Sequence, residues 1–312
     1  MLKYILLVGG FVLLIKGADF FVDGSSSLAK KLRVPSLIIG MTIVAMGTSL
    51  PETSVSVSAA IAGKNELAIS NVVGSNIFNL MVVCGLCALL CPLDIGRDTL
   101  KRDFPFSMVI AGGLMALGGI GMSVGHIDGA IMLVVFAAFL YIMVASARKA
   151  AAQGEAVDEE EYKILPSWKC ALYIAGGIAA IAAGGNMVVS GASDIARSFG
   201  ISDNVIGMTI VALGTSLPEL VTSVVAAKKK ELDMAIGNVV GSNIFNILFV
   251  LGIAAAISPV KYTMENLIDT GVLILMSGMV LAFCIAKKKL DKPQGAIMLA
   301  AYAGYMTYVF MR

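Results

Sequence analysis

Apolar residues run along this chain in blocks of about twenty, each closed by a charged or glycine-containing turn, and the pattern continues nearly to the end. About twenty apolar residues cross the hydrocarbon core of a bilayer as a helix, so the blocks predict membrane spans. Ten fit the pattern, at about 2–22, 36–61, 67–91, 105–122, 127–147, 168–190, 203–227, 233–258, 266–286 and 293–311. The shorter alternating segments of a transmembrane barrel are missing from the pattern. Lys3 before the run Ile5 to Ile15 could open a signal peptide. That run continues to Val22 without a convincing small-residue cleavage site, so it is read as the first span.

The polar residues inside these blocks recur. Gly40 to Asn79 (GMTIVAMGTSLPE…NVVGSNIFN) returns as Gly207 to Asn246 at a constant offset of 167, with 27 identities in 40 positions. Gly17, Asp19 and Gly24 pair with Gly184, Asn186 and Gly191 at the same offset. Each half therefore holds five spans: 1–147 with the first motif (40–79), and 168–312 with the second (207–246). The connection 148–167, with Gln153, Gly154, the acidic run 158–161 and Pro166, is expected to be a solvated linker.

Five spans per half place the second half upside down relative to the first, and charge agrees. Of the 23 Lys and Arg, seventeen fall in the connections 30–33, 97–102, 148–169, 228–230 and 287–292. Five lie on the other side, and Lys16 is inside the first span. Positive charge marks the cytoplasmic side, which puts both termini outside. Within the duplicated stretch the copies diverge at the loop, Ile61-Ala62-Gly63-Lys64 against Lys228-Lys229-Lys230-Glu231. Equivalent loops facing opposite sides should differ in this way, as in inverted-repeat transporters whose site lies near the midplane. The fold expected is an all-α polytopic membrane protein of ten transmembrane helices, built as two inverted five-helix repeats.

Composition narrows the function. Hydrophobic residues make up 58% of the chain and charged ones 14%, with a mean hydropathy of +0.90. A net charge of +2 gives no reason to expect a nucleic-acid partner. Cys84, Cys87 and Cys91 share one helix face and read as small hydrophobes. With His126 the only histidine, a Cys/His zinc centre is not expected, and no Walker A motif suggests ATP. No cofactor is called for.

The chemistry lies in the repeated stretch. A proline inside a helix frees the carbonyl four residues earlier, here at Gly47 and Gly214, so these carbonyls and those of Ala45 and Ala212 become candidate cation ligands. Irregular backbone at membrane depth is tolerated where it is buried in protein or faces a watery cavity. Helical spacing places Thr48 one turn before Glu52 and Thr215 one turn before Glu219, with Ser49 and Ser216 on an adjacent edge. Asn71, Ser75 and Asn79 are spaced by four on the next helix, as are Asn238, Ser242 and Asn246. A single Asn, Ser or Thr in a membrane helix often only bridges helices. A glutamate within a span is costly enough to mark function, and two at equivalent positions strengthen that reading. Asp19, three residues after Lys16 and matched by neutral Asn186, is expected to form a local ion pair. All the donors are hard oxygens, which suit Ca2+ or Na+ better than a transition metal.

At GTSLPE and NVVGSNIFN, each present twice, the chain closely resembles the sodium/calcium exchanger branch of the cation/calcium antiporter superfamily, of prokaryotic type. The resemblance covers all ten spans. It implies Na+/Ca2+ exchange across the cytoplasmic membrane by alternating access. By motif position it implies ion ligands at Ala45, Thr48, Ser49, Glu52, Ser75 and Asn79, and at Ala212, Thr215, Ser216, Glu219, Ser242 and Asn246. Some relatives, the potassium-dependent branch among them, have Asp where this chain has Asn246, which leans the resemblance towards potassium-independent exchange.

Two carboxylates about 6 Å apart repel by roughly 3 kcal/mol at an effective dielectric near 20, and dehydration adds to the cost. An empty site should resist occlusion, whereas Ca2+ or two or more Na+ would neutralise it and let the carrier cross. Protons would neutralise it too, so exchange of Ca2+ or another cation for H+, or potassium-dependent exchange, are the alternatives. An intramembrane enzyme would need a base, and His126 falls in an external loop. A scaffold protein would tolerate Glu→Gln in both copies.

Overall fold

The computed structural model describes residues 2–64, 66–153, 164–201 and 206–312, and these are almost wholly helical. In chain order the helices are α1 (Leu2–Leu32), α2 (Ser36–Thr48), α3 (Leu50–Ile61), α4 (Glu66–Leu90), α5 (Phe104–Gly119), α6 (His126–Gln153), α7 (Ser167–Ser198), α8 (207–214), α9 (Leu217–Lys228), α10 (Leu232–Ile257), α11 (Met264–Lys287) and α12 (Lys292–Met311). Among the described residues, six are long and apolar enough to cross a membrane: α1, α4, α6, α7, α10 and α11. The pair α2 and α3, bent by 49° at Ser49, makes a seventh.

Burial sorts these helices into a centre and a periphery. The most apolar windows of α4 and α10 are each 78% buried, against 22–33% for α1, α6, α7 and α11. The two helices carrying NVVGSNIFN thus form the middle of the molecule. On α10, Phe245 and Phe249 stack with ring centroids 4.6 Å apart, and Phe136 of α6 meets Phe245 at 5.5 Å.

α1 and α7 lie along one another. Gly10 and Gly17 face Gly184 and Gly177, while Gly24 packs on Cys170 and Tyr173 and Gly191 on Lys3 and Leu7; the glycines of each helix recur every seven residues. A Cβ at Gly10 would lie 2.8 Å from the Gly184 carbonyl oxygen, and one at Gly191 would lie 2.7 Å from that of Lys3. Without a hydrophobic drive between helices in lipid, such close backbone contact is what holds a pair together.

Two short antiparallel bridges tie the halves. β1 (Leu93–Asp94) pairs with β4 (Lys289–Leu290), and β2 (Ser123–Val124) pairs with β3 (Val260–Lys261). On the β2–β3 face Lys261 Nζ is 3.1 Å from Glu66 Oε1. On the β1–β4 face the Ile95 N–H donates to the Lys288 carbonyl at 3.0 Å.

Several helix ends differ from the sequence expectation. The first span, expected to close at 22, continues to Leu32, and 168–190 continues to Ser198. At 31 and 32 residues these helices are about 46–48 Å long, well beyond a hydrocarbon core of about 30 Å. Hydropathy stopped them at polar residues that the fold accommodates through contacts with other segments. Helix α6 runs to Gln153, into the expected linker 148–167. Of that linker, 154–163 lie outside the described residues. Cys84 and Cys87 are buried and reduced, in keeping with a core role.

Candidate functional site

Ser49 and Ser216 are where the site begins. Each stands at a helix break, with φ/ψ of −84°/13° and −89°/3°. The prolines that follow, Pro51 and Pro218, occupy the first turns of α3 and α9. There the missing N–H would have been unpaired in any case, so proline opens a new helix rather than kinking one. The carbonyls expected to be freed, those of Gly47 and Gly214, lie in the last turn before each break. The carbonyls at issue are those of the whole last turn before the break.

The same break places Glu52 and Glu219 in the first turns of α3 and α9, where the positive end of the helix dipole favours a carboxylate. Both residues are 0% exposed. Their partners come from the opposite copy. Ser49 Oγ donates to Glu219 Oε1 at 2.7 Å, and Ser216 Oγ lies 3.0 Å from Glu52 Oε1 and 3.0 Å from Ser75 Oγ. Thr48 Oγ1 is 3.1 Å from Asn238 Oδ1, while the equivalent Thr215 to Asn71 distance is 3.5 Å. Asn71 and Asn238 donate in turn to Ser56 and Ser223 at 3.0 and 2.9 Å.

A second crossed pair lies beside the first. Asn76 Nδ2 donates to the Asn243 carbonyl at 3.0 Å, and Asn243 Nδ2 to the Asn76 carbonyl at 3.2 Å. Their side-chain oxygens accept from Asn246 Nδ2 at 3.1 Å and Asn79 Nδ2 at 3.4 Å. This fixes the amide orientation of Asn79 and Asn246, leaving each Oδ1 free of a donor. Sequence reasoning passed over Asn76, Asn243, Ser56 and Ser223 because it followed the four-residue spacing around the glutamates. The available signal was their identity in both copies.

Glu52 Oε2, Glu219 Oε2, Asn79 Oδ1, Asn246 Oδ1 and Ser242 Oγ are buried without a hydrogen-bond partner. Buried polar atoms in native proteins are nearly always paired. Four of these five are oxygens that can only accept, since the amide nitrogens are engaged elsewhere. Two carboxylates, two amide oxygens and a hydroxyl form a donor set suited to a hard cation. Thr48, Ser49, Ser75, Thr215 and Ser216 surround the carboxylates within the same hydrogen-bond network.

The two alanines separate. Ala45 is buried, and its carbonyl accepts the Ser49 N–H at 3.1 Å. Ala212, in an identical local sequence, is exposed, and its carbonyl lies 3.4 Å from Thr215 Oγ1. Asp19 stands apart from the site. It does form an ion pair, yet Lys16 is 3.9 Å away and the nearer partner is Lys229 at 3.1 Å.

The chain as a whole is similar to known proteins. The family model described as sodium/calcium exchanger protein matches residues 2–145 and 169–311. The sodium/calcium exchanger MaX1 of Methanosarcina acetivorans is 31% identical, with 99% of this chain and 98% of that protein covered. The inner membrane protein YrbG of Escherichia coli is 38% identical over 81% of this chain and 79% of its own length. A structure of the sodium-calcium exchanger NCX_Mj, from a crystal soaked with Na+ and Ca2+, superposes with a TM-score of 0.84 at 31% identity, covering 98% of each chain. With a multi-pass helical fold, two complete copies of the motif and full-length relatives, the chain belongs to the sodium/calcium exchanger family of cation/calcium antiporters.

Proposed function

We propose that this antiporter exchanges Na+ for Ca2+ across the cytoplasmic membrane, with Glu52 and Glu219 as central cation ligands. In this reading the chain crosses ten times as two inverted five-helix repeats, 1–147 and 168–312, joined by a cytoplasmic linker at 148–167, with both termini outside. The single observation that carries it is the pair of buried carboxylates, each held by a serine of the opposite copy and each retaining an unpartnered oxygen. Ca2+ or several Na+ would satisfy those oxygens and cancel the charge. The names of MaX1 and NCX_Mj support the choice of ions.

Alternating access is supported by a difference between identical sequences. Gly40 to Ala45 and Gly207 to Ala212 both read GMTIVA. In the first copy Val44 and Ala45 are 0% exposed, packed towards α10, where a Cβ at Gly241 would lie 2.6 Å from Met41 Cα. In the second copy Val211 is 39% exposed, and among the described residues nothing lies within 4 Å of a Cβ at Gly74, the counterpart of Gly241. Ser70 is exposed and Asn71 half-buried, whereas Gly237 and Asn238 at the same repeat positions are buried. One face of the site is closed and the other is open.

Each of these helices also contains a π-helical turn, at Gly40–Val44, Asn79–Val83, Gly207–Val211 and Asn246–Leu251. Such turns concentrate at functional sites and give a helix an alternative hydrogen-bond register. They supply a hinge for each half-helix next to the ligands. The experiment is reconstitution into proteoliposomes. Glu52→Gln or Glu219→Gln should abolish Na+-dependent flux of radiolabelled Ca2+, and a wild-type rate in either variant overturns the assignment.

A further inference from the structure

The closed face carries a charged network centred on Lys229. Lys229 Nζ lies 2.6 Å from Asp23 Oδ1 and 3.1 Å from Asp19 Oδ1, and it also donates to the Asp19 carbonyl at 3.1 Å. Two residues along the same turn, Glu231 accepts from Ser26 Oγ and, at 3.1 Å, from Ser36 Oγ. These bonds join three segments: the second half of α1, the first residue of α2, and the turn between α9 and α10. Lys229 is 21% exposed at its side chain and the two aspartates 37%, so the ions are partly withdrawn from water.

At the repeat offset of 167, the positions on the other face are Asn186 for Asp19, Ser190 for Asp23, Ser193 for Ser26, Asp203 for Ser36, Ala62 for Lys229 and Lys64 for Glu231. The positions matching the Asp19/Asp23–Lys229 pair thus carry no charge, whereas Asp203 and Lys64 bring opposite charges to the positions of Ser36 and Glu231. The Asp19/Asp23–Lys229 pair is therefore an asymmetry written into the sequence rather than one of conformation alone.

We propose that the Asp19/Asp23–Lys229 pair, braced by the Ser26/Ser36–Glu231 bonds, forms a latch that biases the carrier towards the state closed on the 228–231 face. The latch ties α2, the half-helix covering the site from that side, and the α1–α7 pair to the hairpin of the second copy. Opening this face requires these segments to part, and the charged bonds must break as they do. The matching positions of the opposite face, Asn186, Ser190 and Ala62, offer no such ion pair to break. The inference rests on the exchange reading only in that the two faces open in turn.

Two readouts test it. In oriented proteoliposomes, half-saturating Ca2+ is measured separately at each face for Lys229→Met and for Asp19→Asn with Asp23→Asn. Losing a partly exposed ion pair shifts the equilibrium between the two states by about fivefold at the upper end for such pairs. Apparent affinity scales with the fraction of carrier open to that side. Half-saturation should therefore fall by up to about fivefold at the 228–231 face and rise, by less than about twofold, at the other. Lys229→Arg, which keeps the charge, and Lys228→Met, which removes one from the same turn, should both stay at the wild-type value. Parallel shifts at both faces, no shift, or the same shift in Lys228→Met would overturn the latch.

The second readout needs no transport. In latch variants, hydrogen exchange should quicken in 36–48 and slow in 207–214. Unchanged exchange there overturns the latch, whatever the fluxes show. If the exchange pattern moves while wild-type protein carries no Ca2+, it is the function and not the latch that fails.

Discussion

Gly241 and Gly74 occupy equivalent positions in the two copies, and the same substitution should act on them in opposite ways. A Cβ at Gly241 would come within 2.6 Å of both Cα and the carbonyl oxygen of Met41, and within 2.8 Å of its carbonyl carbon. All three are backbone atoms, so α2 and α10 must separate by most of an ångström to admit the methyl group. Overpacking of this kind costs about 1–3 kcal/mol. At Gly74 the same methyl group meets nothing among the described residues, and alanine in a helix interior is favoured over glycine by about 0.5–1 kcal/mol. Gly241→Ala should thus lower thermal stability in detergent and open the 228–231 face. Gly74→Ala should hold or raise stability while slowing turnover, because it obstructs the seat that the 207–211 segment needs when that side closes. A population shift of about tenfold follows from each 1.4 kcal/mol, so face-specific hydrogen exchange can read the effect. Equal destabilisation by both substitutions, or equal tolerance of both, would refute the assignment of one packed and one unpacked face.

Other expectations concern the ligand frame. Asn76→Ala removes the acceptor for Asn246 and one of the two reciprocal amide bonds, leaving buried groups unpaired; a loss of about 1–3 kcal/mol in stability and weaker Ca2+ binding should follow, checked by thermal unfolding and calorimetry. Ser49→Ala and Ser216→Ala each delete a hydrogen bond to a carboxylate, worth about 1.5–3 kcal/mol, and should raise half-saturating Ca2+ by at least tenfold in flux assays without changing expression. Gly184→Ala places a Cβ 2.7 Å from the Leu14 nitrogen and should loosen the α1–α7 pair by about 1–3 kcal/mol, seen as faster hydrogen exchange along both helices.

Hydropathy found the helices because a bilayer demands apolar length, and it misjudged ends where polar residues have partners elsewhere. Asp19 and Asp23 lie where the first span was expected to end. In the fold Asp19 and Asp23 meet Lys229, some two hundred residues away, and α1 continues past them. The glutamates and their serines were legible as matched, costly polar residues inside apolar runs. Asn76 and Asn243 were not, since their role is to aim Asn79 and Asn246 and no local spacing reveals that. The different burial of Ala45 and Ala212 could not be read from sequence at all. Six identical residues adopt two environments, so the difference comes from what packs against them and not from their own sequence.

The most direct test of Na+/Ca2+ exchange is wild-type protein in sealed proteoliposomes with Na+, K+ or H+ gradients imposed one at a time and Ca2+ movement followed. A Na+ gradient alone should drive Ca2+ the opposite way, with neither K+ nor H+ required. Ca2+ movement driven by a pH gradient alone, or by Na+ only when K+ is present, would contradict it.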